Sequence, residues 1–175
     1  AGVVNAGDGI VSITSAGGIT DQGADNLLNI TGGSLALVAV TGIGSANAIE
    51  TAINGAITFT NTTSGSVQIT DNSATATFAG ANTTGGGNFI TLIEQDAAGF
   101  KSGATGILSV DAITIQADRM QITKAVNANA GRVTLRSNTA GQLTDLGSML
   151  SAVPTAVTWH LATALTPRAR LQRCT

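Results

Sequence analysis

Ile57-Thr58-Phe59-Thr60-Asn61-Thr62-Thr63-Ser64-Gly65-Ser66-Val67-Gln68-Ile69-Thr70 is the stretch that decides how this chain folds. Apolar residues alternate with Thr or Gln on both sides of a polar break rich in Asn, Ser and Gly. Successive side chains of an extended strand point to opposite faces, so each half reads as a short strand with one buried face and one wet face. The same phrase recurs at Thr75-Ala76-Thr77-Phe78, Ile113-Thr114-Ile115-Gln116, Met120-Gln121-Ile122-Thr123 and Val133-Thr134-Leu135-Arg136. So many copies in one chain predict a repeat architecture.

Equivalent apolar residues return at intervals that suit one turn of a solenoid: 20 residues from Leu37 to Ile57, 19 from Phe59 to Phe78, 21 from Leu92 to Ile113 and 20 from Ile115 to Leu135. Further strands are expected at Gly9 to Thr14, Asn26 to Thr31, Ser34 to Thr41, Phe89 to Ile93 and Ile107 to Val110. The pairs Gly17-Gly18 and Gly32-Gly33 read as corners where glycine supplies a positive φ. Asn61, Asn72, Asn82 and Asn88 border strands and suit the left-handed region in the same way, and residues 128–131 make a further corner. Helical signals are weak throughout; Ala46 to Ile53 is the one segment read as a helical turn or two.

Composition sets the kind of core. Charged residues are 10% of the chain, far below the roughly 25% of an average soluble domain. Aromatics are 3% and Tyr is absent, which favours a narrow core lined with Val, Ile, Leu and Ala over one wide core built on rings. Disordered chains combine low hydrophobicity with high net charge, whereas this one is 43% hydrophobic with a net charge of −2 and a mean hydropathy of +0.29. No Pro occurs before Pro154, so the strand backbones are free to donate throughout. Cys174 is the only cysteine, which rules out an internal disulfide and leaves rigidity to backbone pairing between coils.

Every Lys and Arg lies at or after Lys101, while the first hundred residues carry only acids. A surface of that sign repels a phosphate backbone, so nucleic acid is not an expected partner. The longest apolar run, Leu35 to Val40, is too short to span a membrane as a helix, and no transmembrane segment is expected. The opening at Ala1, without Met or a signal-type apolar segment, reads as a piece of something longer.

Few residues look chemical. Gly42-Ile43-Gly44 follows a strand, as in a nucleotide-binding turn, but Asn47 stands where a third glycine belongs; Gly85-Gly86-Gly87 lacks the Lys-Ser or Lys-Thr of a phosphate loop. No cofactor is expected. Glu94 and Asp96 would share a strand face, and with Lys101 as the single base nearby they form the one arrangement that suggests acid-assisted polysaccharide cleavage; a strand end running into a solvated loop is the favoured explanation. The calcium nonapeptide of β-rolls is absent and the acids are scattered, so no metal site is expected; His160 stands alone and builds neither a zinc site nor a triad. Thr58, Thr60, Thr70, Thr114, Thr123 and Thr134 would form an outward ladder of hydroxyls if coils stack in register.

Thr41 to Ser45 with Ile57 to Ile69, and Asp118-Arg119-Met120 leading through Ala125 to Ala128 into Gly131 to Arg136, resemble recurring passages of filamentous-haemagglutinin-type exoproteins. The resemblance covers most of residues 1–147 and implies an all-β, right-handed parallel β-helix belonging to a secreted or cell-surface bacterial adhesin. It also implies an outer-membrane export partner for the parent protein and host-cell glycans or receptors as ligands, and it brings no catalytic residues. Residues 148–175, which hold Trp159, His160 and Cys174, depart from the idiom and read as an irregular tail, cap or boundary. Two other readings compete with adhesion: a polysaccharide-degrading β-helix enzyme, and a purely architectural spacer.

Overall fold

The computed structural model describes residues 2–23 and 25–142. The irregular tail expected at 148–175 lies outside the described residues. Those described are all β, with fourteen strands wound into a parallel β-solenoid of about six turns. In chain order the strands are β1 (Val4–Asn5), β2 (Ile10–Thr14), β3 (Ile30–Gly32), β4 (Ser34–Ala39), β5 (Ile49–Ile53), β6 (Ala56–Asn61) and β7 (Val67–Asp71). They continue as β8 (Thr77–Asn82), β9 (Ile90–Glu94), β10 (Phe100–Ser109), β11 (Ile113–Gln116), β12 (Met120–Gln121), β13 (Val126–Asn127) and β14 (Val133–Arg136).

Through β12 the strands sort by parity in the chain. One sheet runs β1-β3-β5-β7-β9-β11-β14 and the facing one β12-β10-β8-β6-β4-β2, with β13 also paired to β10; every pairing is parallel. Each coil contributes one strand to each sheet, and the core is the narrow space between them.

Alternation places one side chain in two inside. In β6, Ile57, Phe59 and Asn61 are buried while Ala56, Thr58 and Thr60 are exposed. Inward residues stack over their register partners: Leu35, Ile57 and Phe78 form one column, and Ile49, Ile69, Leu92, Ile115 and Leu135 another. Burying each such side chain contributes about 1.5–3 kcal/mol. Phe78 and Phe100 stack with ring centroids 5.1 Å apart, so two of the scarce aromatics meet in the core.

The repeat is real, and its frame is displaced from the intervals read in the sequence. Leu37 sits beside Phe59, Ile57 beside Phe78 and Leu92 beside Ile115; only Ile115 with Leu135 pairs as expected. Each misassigned partner is two residues away. A slip of two preserves the inward face, which is why alternation could be right while register was not.

Several local expectations are corrected. Ala46 to Ile53 holds no helix: β5 occupies Ile49–Ile53, with Ile49, Thr51 and Ile53 directed inward. The strand at Thr75 starts at Thr77, and the one expected over Asn26 to Thr31 is confined to Ile30–Gly32. Asn61 and Asn82 end their strands with buried side chains, and Asn129 is the sole non-glycine residue with positive φ among those described. None of Gly17, Gly18, Gly32 and Gly33 is in the left-handed region; a Cβ at Gly33 would lie 2.1 Å from the Asp8 carbonyl oxygen, so closeness between coils requires that glycine. Gly80 is similar, because a Cβ would strike the Phe59 carbonyl and ring in the coil before it.

Candidate functional site

The acids at the ends of the seven-stranded sheet form the most unusual chemistry in the described residues. Thr51 pairs with Asp71 and Asp71 with Glu94, each on the inward parity of its strand, so a polar column runs along the interior corner. Asp71 and Glu94 are both fully buried. The Asp71 carboxylate accepts hydrogen bonds from the Thr51 hydroxyl (2.6 Å) and the Ile53 amide (3.0 Å) on one oxygen, and from the Ser73 amide (2.9 Å) on the other. Glu94 accepts from the Asp96 amide (3.0 Å) through Oε1, while its Oε2 is buried without a partner.

Burial dominates the acidity of both. It pushes Asp71 up to about 6 against the opposing donors from Thr51, Ile53 and Ser73, with the Asp96 charge adding to the rise. It pushes Glu94 up to about 8; the Asp96 amide and Lys101 oppose this, and the charges of Asp71 and Asp96 reinforce it. Glu94 therefore carries its proton at neutral pH. Asp118 shows the contrary case: a half-exposed carboxylate receiving the Thr139 and Asn138 amides and the Thr139 hydroxyl is held below its usual range.

Glu94 and Asp96, which the sequence places on one face, are separated by the end of the strand. Glu94 turns inward at the end of β9, and Asp96 caps the following turn by accepting from the Ala98 amide at 2.7 Å. Lys101 donates to the Ala74 carbonyl at 2.9 Å. Asp71 is the register partner of Glu94, and the sequence held the sign of it. Asp71 follows Val67 and Ile69 at even spacing just as Glu94 follows Ile90 and Leu92, so alternation alone turns both carboxyls inward.

The glycine turns are structural. Ile43 bridges Ile19 and Val67 in the adjoining coils, and Gly42 donates to Asn61 Oδ1 at 2.8 Å. No helix follows to complete a nucleotide site. At Gly85 to Gly87 a main-chain amide does take an anion, but it is the chain's own Asp111 carboxylate, 2.8 Å from the Gly87 nitrogen. Among the described residues no three His, Cys, Asp or Glu side chains gather closely enough to hold a metal by themselves.

The threonines divide between two faces. Thr91, Thr114 and Thr134 are in register on the outside of the seven-stranded sheet, so a hydroxyl ladder exists there, with Thr91 as the member the sequence reading omitted. Thr58 and Thr60 lie on the opposite sheet, flanked in register by Ala36 and Ala79, and by Val38 and Ala81. Thr70 is covered, and Thr123 lies outside the strands, its amide donating to Ser102 Oγ. The outer face of β4, β6 and β8 carries no charged side chain.

This architecture defines the described residues as a parallel β-solenoid. No family model, no curated protein and no solved structure matches the chain. Among the described residues no helix is long and apolar enough to cross a membrane.

Proposed function

We propose that this chain is a section of a secreted or cell-surface bacterial adhesin, a β-helical stalk that presents its faces to host-cell glycans or receptors. The observation that carries this reading is the unbroken parallel stacking of coils, in which each strand of one turn continues the pairing of the last. Such a rod holds its shape through backbone hydrogen bonds along its axis and requires neither large rings nor disulfides. The resemblance of Ile57 to Ile69 and of Asp118 to Arg136 to filamentous-haemagglutinin-type passages supports the same class. An uncharged strip of Thr, Ala and Val across β4 and β6 offers hydroxyls and small apolar groups to a sugar without a desolvation cost for charge.

Polysaccharide cleavage is less well supported, because the protonated carboxyl it would rely on, Glu94, has no exposed surface for a glycosidic oxygen to reach. The test of adhesion is attachment of beads coated with the chain to glycan arrays and to epithelial cells. Attachment that falls several-fold in a Thr58→Lys, Thr60→Lys double variant is expected. Attachment unaffected by those charges would move binding to another face, and none at all by the unaltered chain would favour the spacer. Sugar release from acidic polysaccharides, abolished by Glu94→Gln, would replace the reading with an enzymatic one.

A further inference from the structure

Asn54 and Gly55 form the two-residue corner between β5 and β6, and theirs is the only Asn-Gly step in the chain. The corner is fastened to the coils on both sides. The Asn54 amide donates to the Gly32 carbonyl at 3.1 Å in the coil before, and the Asn54 carbonyl accepts from the Thr75 hydroxyl at 2.6 Å in the coil after. Gly55 is obligatory at its position, because a Cβ there would lie 2.5 Å from the Gly33 carbonyl oxygen. Packing between coils therefore sets Asn54, a chemically labile residue type, before the one residue with no side chain to shield its main-chain nitrogen.

Two further observations at this corner bear on reactivity. Asn54 is exposed, and its Oδ1 accepts from the Ser73 hydroxyl at 2.8 Å. Ser73 is buried and is held in place by its own amide, which donates to Asp71 Oδ2 at 2.9 Å. The Gly55 amide nitrogen, by contrast, donates to no acceptor among the described residues. After Asn61, Asn72, Asn82 and Asn138 the next main-chain nitrogen is occupied, by the Ala39 carbonyl, the Asp71 carboxylate, the Asn61 carbonyl and the Asp118 carboxylate respectively. An occupied amide must give up its hydrogen bond before it can attack anything, and the Gly55 amide has none to give up.

We propose that Asn54 is a site of self-modification, at which the Gly55 nitrogen displaces the side-chain ammonia of Asn54. Gly55 gives its amide proton to water, its nitrogen bonds to Asn54 Cγ, and Oδ1 becomes an oxyanion. The Ser73 hydroxyl, already donating to that oxygen, stabilises the charge as it develops. Collapse of the oxyanion breaks the Cγ–Nδ2 bond and, with a proton from water, releases ammonia and leaves a cyclic imide. Water then opens the ring at either carbonyl, giving aspartate or isoaspartate at position 54, so that water is consumed and ammonia released in equal amounts. Isoaspartate lengthens the main chain by a methylene at a tightly packed corner, and the ties to Gly32 and Thr75 loosen as the protein ages.

Incubation of the whole chain in mildly alkaline buffer, followed by peptide mapping in a mass spectrometer, tests this. Conversion of Asn54 is expected ahead of every other asparagine, with isoaspartate at that position detected by enzymatic methyl transfer. The lead of Asn54 over Asn61 and Asn72 should be larger in the native chain than in urea, where no fold engages the competing amides. Ser73→Ala should slow the native reaction at Asn54 several-fold and leave the reaction in urea unchanged. Circular dichroism checks that this variant keeps its strands; should it lose them, the comparison of native and unfolded unaltered chain decides alone. An Asn54 that stays intact in the native chain while it converts in urea, or an unchanged native rate in a folded Ser73→Ala variant, would overturn the assignment.

Discussion

Two polar columns run through the interior of this rod, and they differ in one atom type. In the first, Asn61 of β6 lies in register with Asn82 of β8 and Ser109 of β10; in the second, Thr51, Asp71 and Glu94 succeed one another along β5, β7 and β9. The two asparagines of the first column are well satisfied, although Ser109 at its end keeps a buried Oγ without a partner. Asn61 Oδ1 accepts from the Gly42 amide, and its Nδ2 reaches the Ser64 and Gly65 carbonyls and, at 3.1 Å, Asn82 Oδ1. Asn82 in turn reaches the Gly65 and Phe89 carbonyls and accepts from Thr84. An amide both donates and accepts, so it stacks on its own kind from coil to coil. A carboxylate only accepts, so the acid column ends in an orphaned Glu94 oxygen and a retained proton.

The comparison is broken most severely by Asn61→Ala, which leaves the buried Gly42 amide and the part-buried Ser64 and Gly65 carbonyls without their side-chain partner; we expect a loss of about 3–4 kcal/mol in urea unfolding. Asn82→Asp converts one column into the other. Its carboxylate cannot donate to the Gly65 and Phe89 carbonyls, and the expected cost is about 3 kcal/mol at pH 8, shrinking toward pH 5 as the new acid takes a proton.

Glu94→Gln makes the reverse conversion. Burial raises the Glu94 constant from 4.5 to about 8 and that of Asp71 from 3.8 to about 6, so between those limits the folded chain holds more protons than the unfolded one. Stability therefore falls as pH rises through that window and levels off above it. Glu94→Gln should flatten most of the slope, gaining about 2–3 kcal/mol at pH 8 and nearly nothing at pH 4. A wild-type melting temperature that climbs from pH 5 to pH 8 would contradict the acid column. The smallest effect belongs to the outer ladder: Thr114→Ala, on a half-exposed face, should cost no more than about 1 kcal/mol.

The sequence made the strands legible wherever Val, Ile, Leu or Phe alternated with Thr or Gln, because that pattern has one physical reading at period two. It concealed β5, where Ala and Glu50 dilute the alternation and Asn29, 21 residues away, supplies a covering contact. It concealed register, because a two-residue slip leaves every face unchanged. Asn61 and Asn82 look like turn formers, since asparagine is common in turns, and only the stacked coils reveal an inward amide ladder. Asp71 and Glu94 carry the right parity, but Glu94 at a strand end reads as an acid entering a solvated loop and Asp71 as one of the scattered acids. Composition suggests that an acid faces water, and here strand parity overrode it.

Disulfide trapping on the seven-stranded sheet tests the stacking of parallel coils most directly. Thr91 and Ile93 lie beside Thr114 and Gln116 on the outer face. In a Cys174→Ser background, the pairs Thr91→Cys with Thr114→Cys and Ile93→Cys with Gln116→Cys should oxidise readily, because parallel neighbours about 4.8 Å apart suit the bond. The crossed pairs, Thr91→Cys with Gln116→Cys and Ile93→Cys with Thr114→Cys, should remain reduced. Rapid linkage of the crossed pairs with none in the direct ones would mean antiparallel strands, and the solenoid would be refuted.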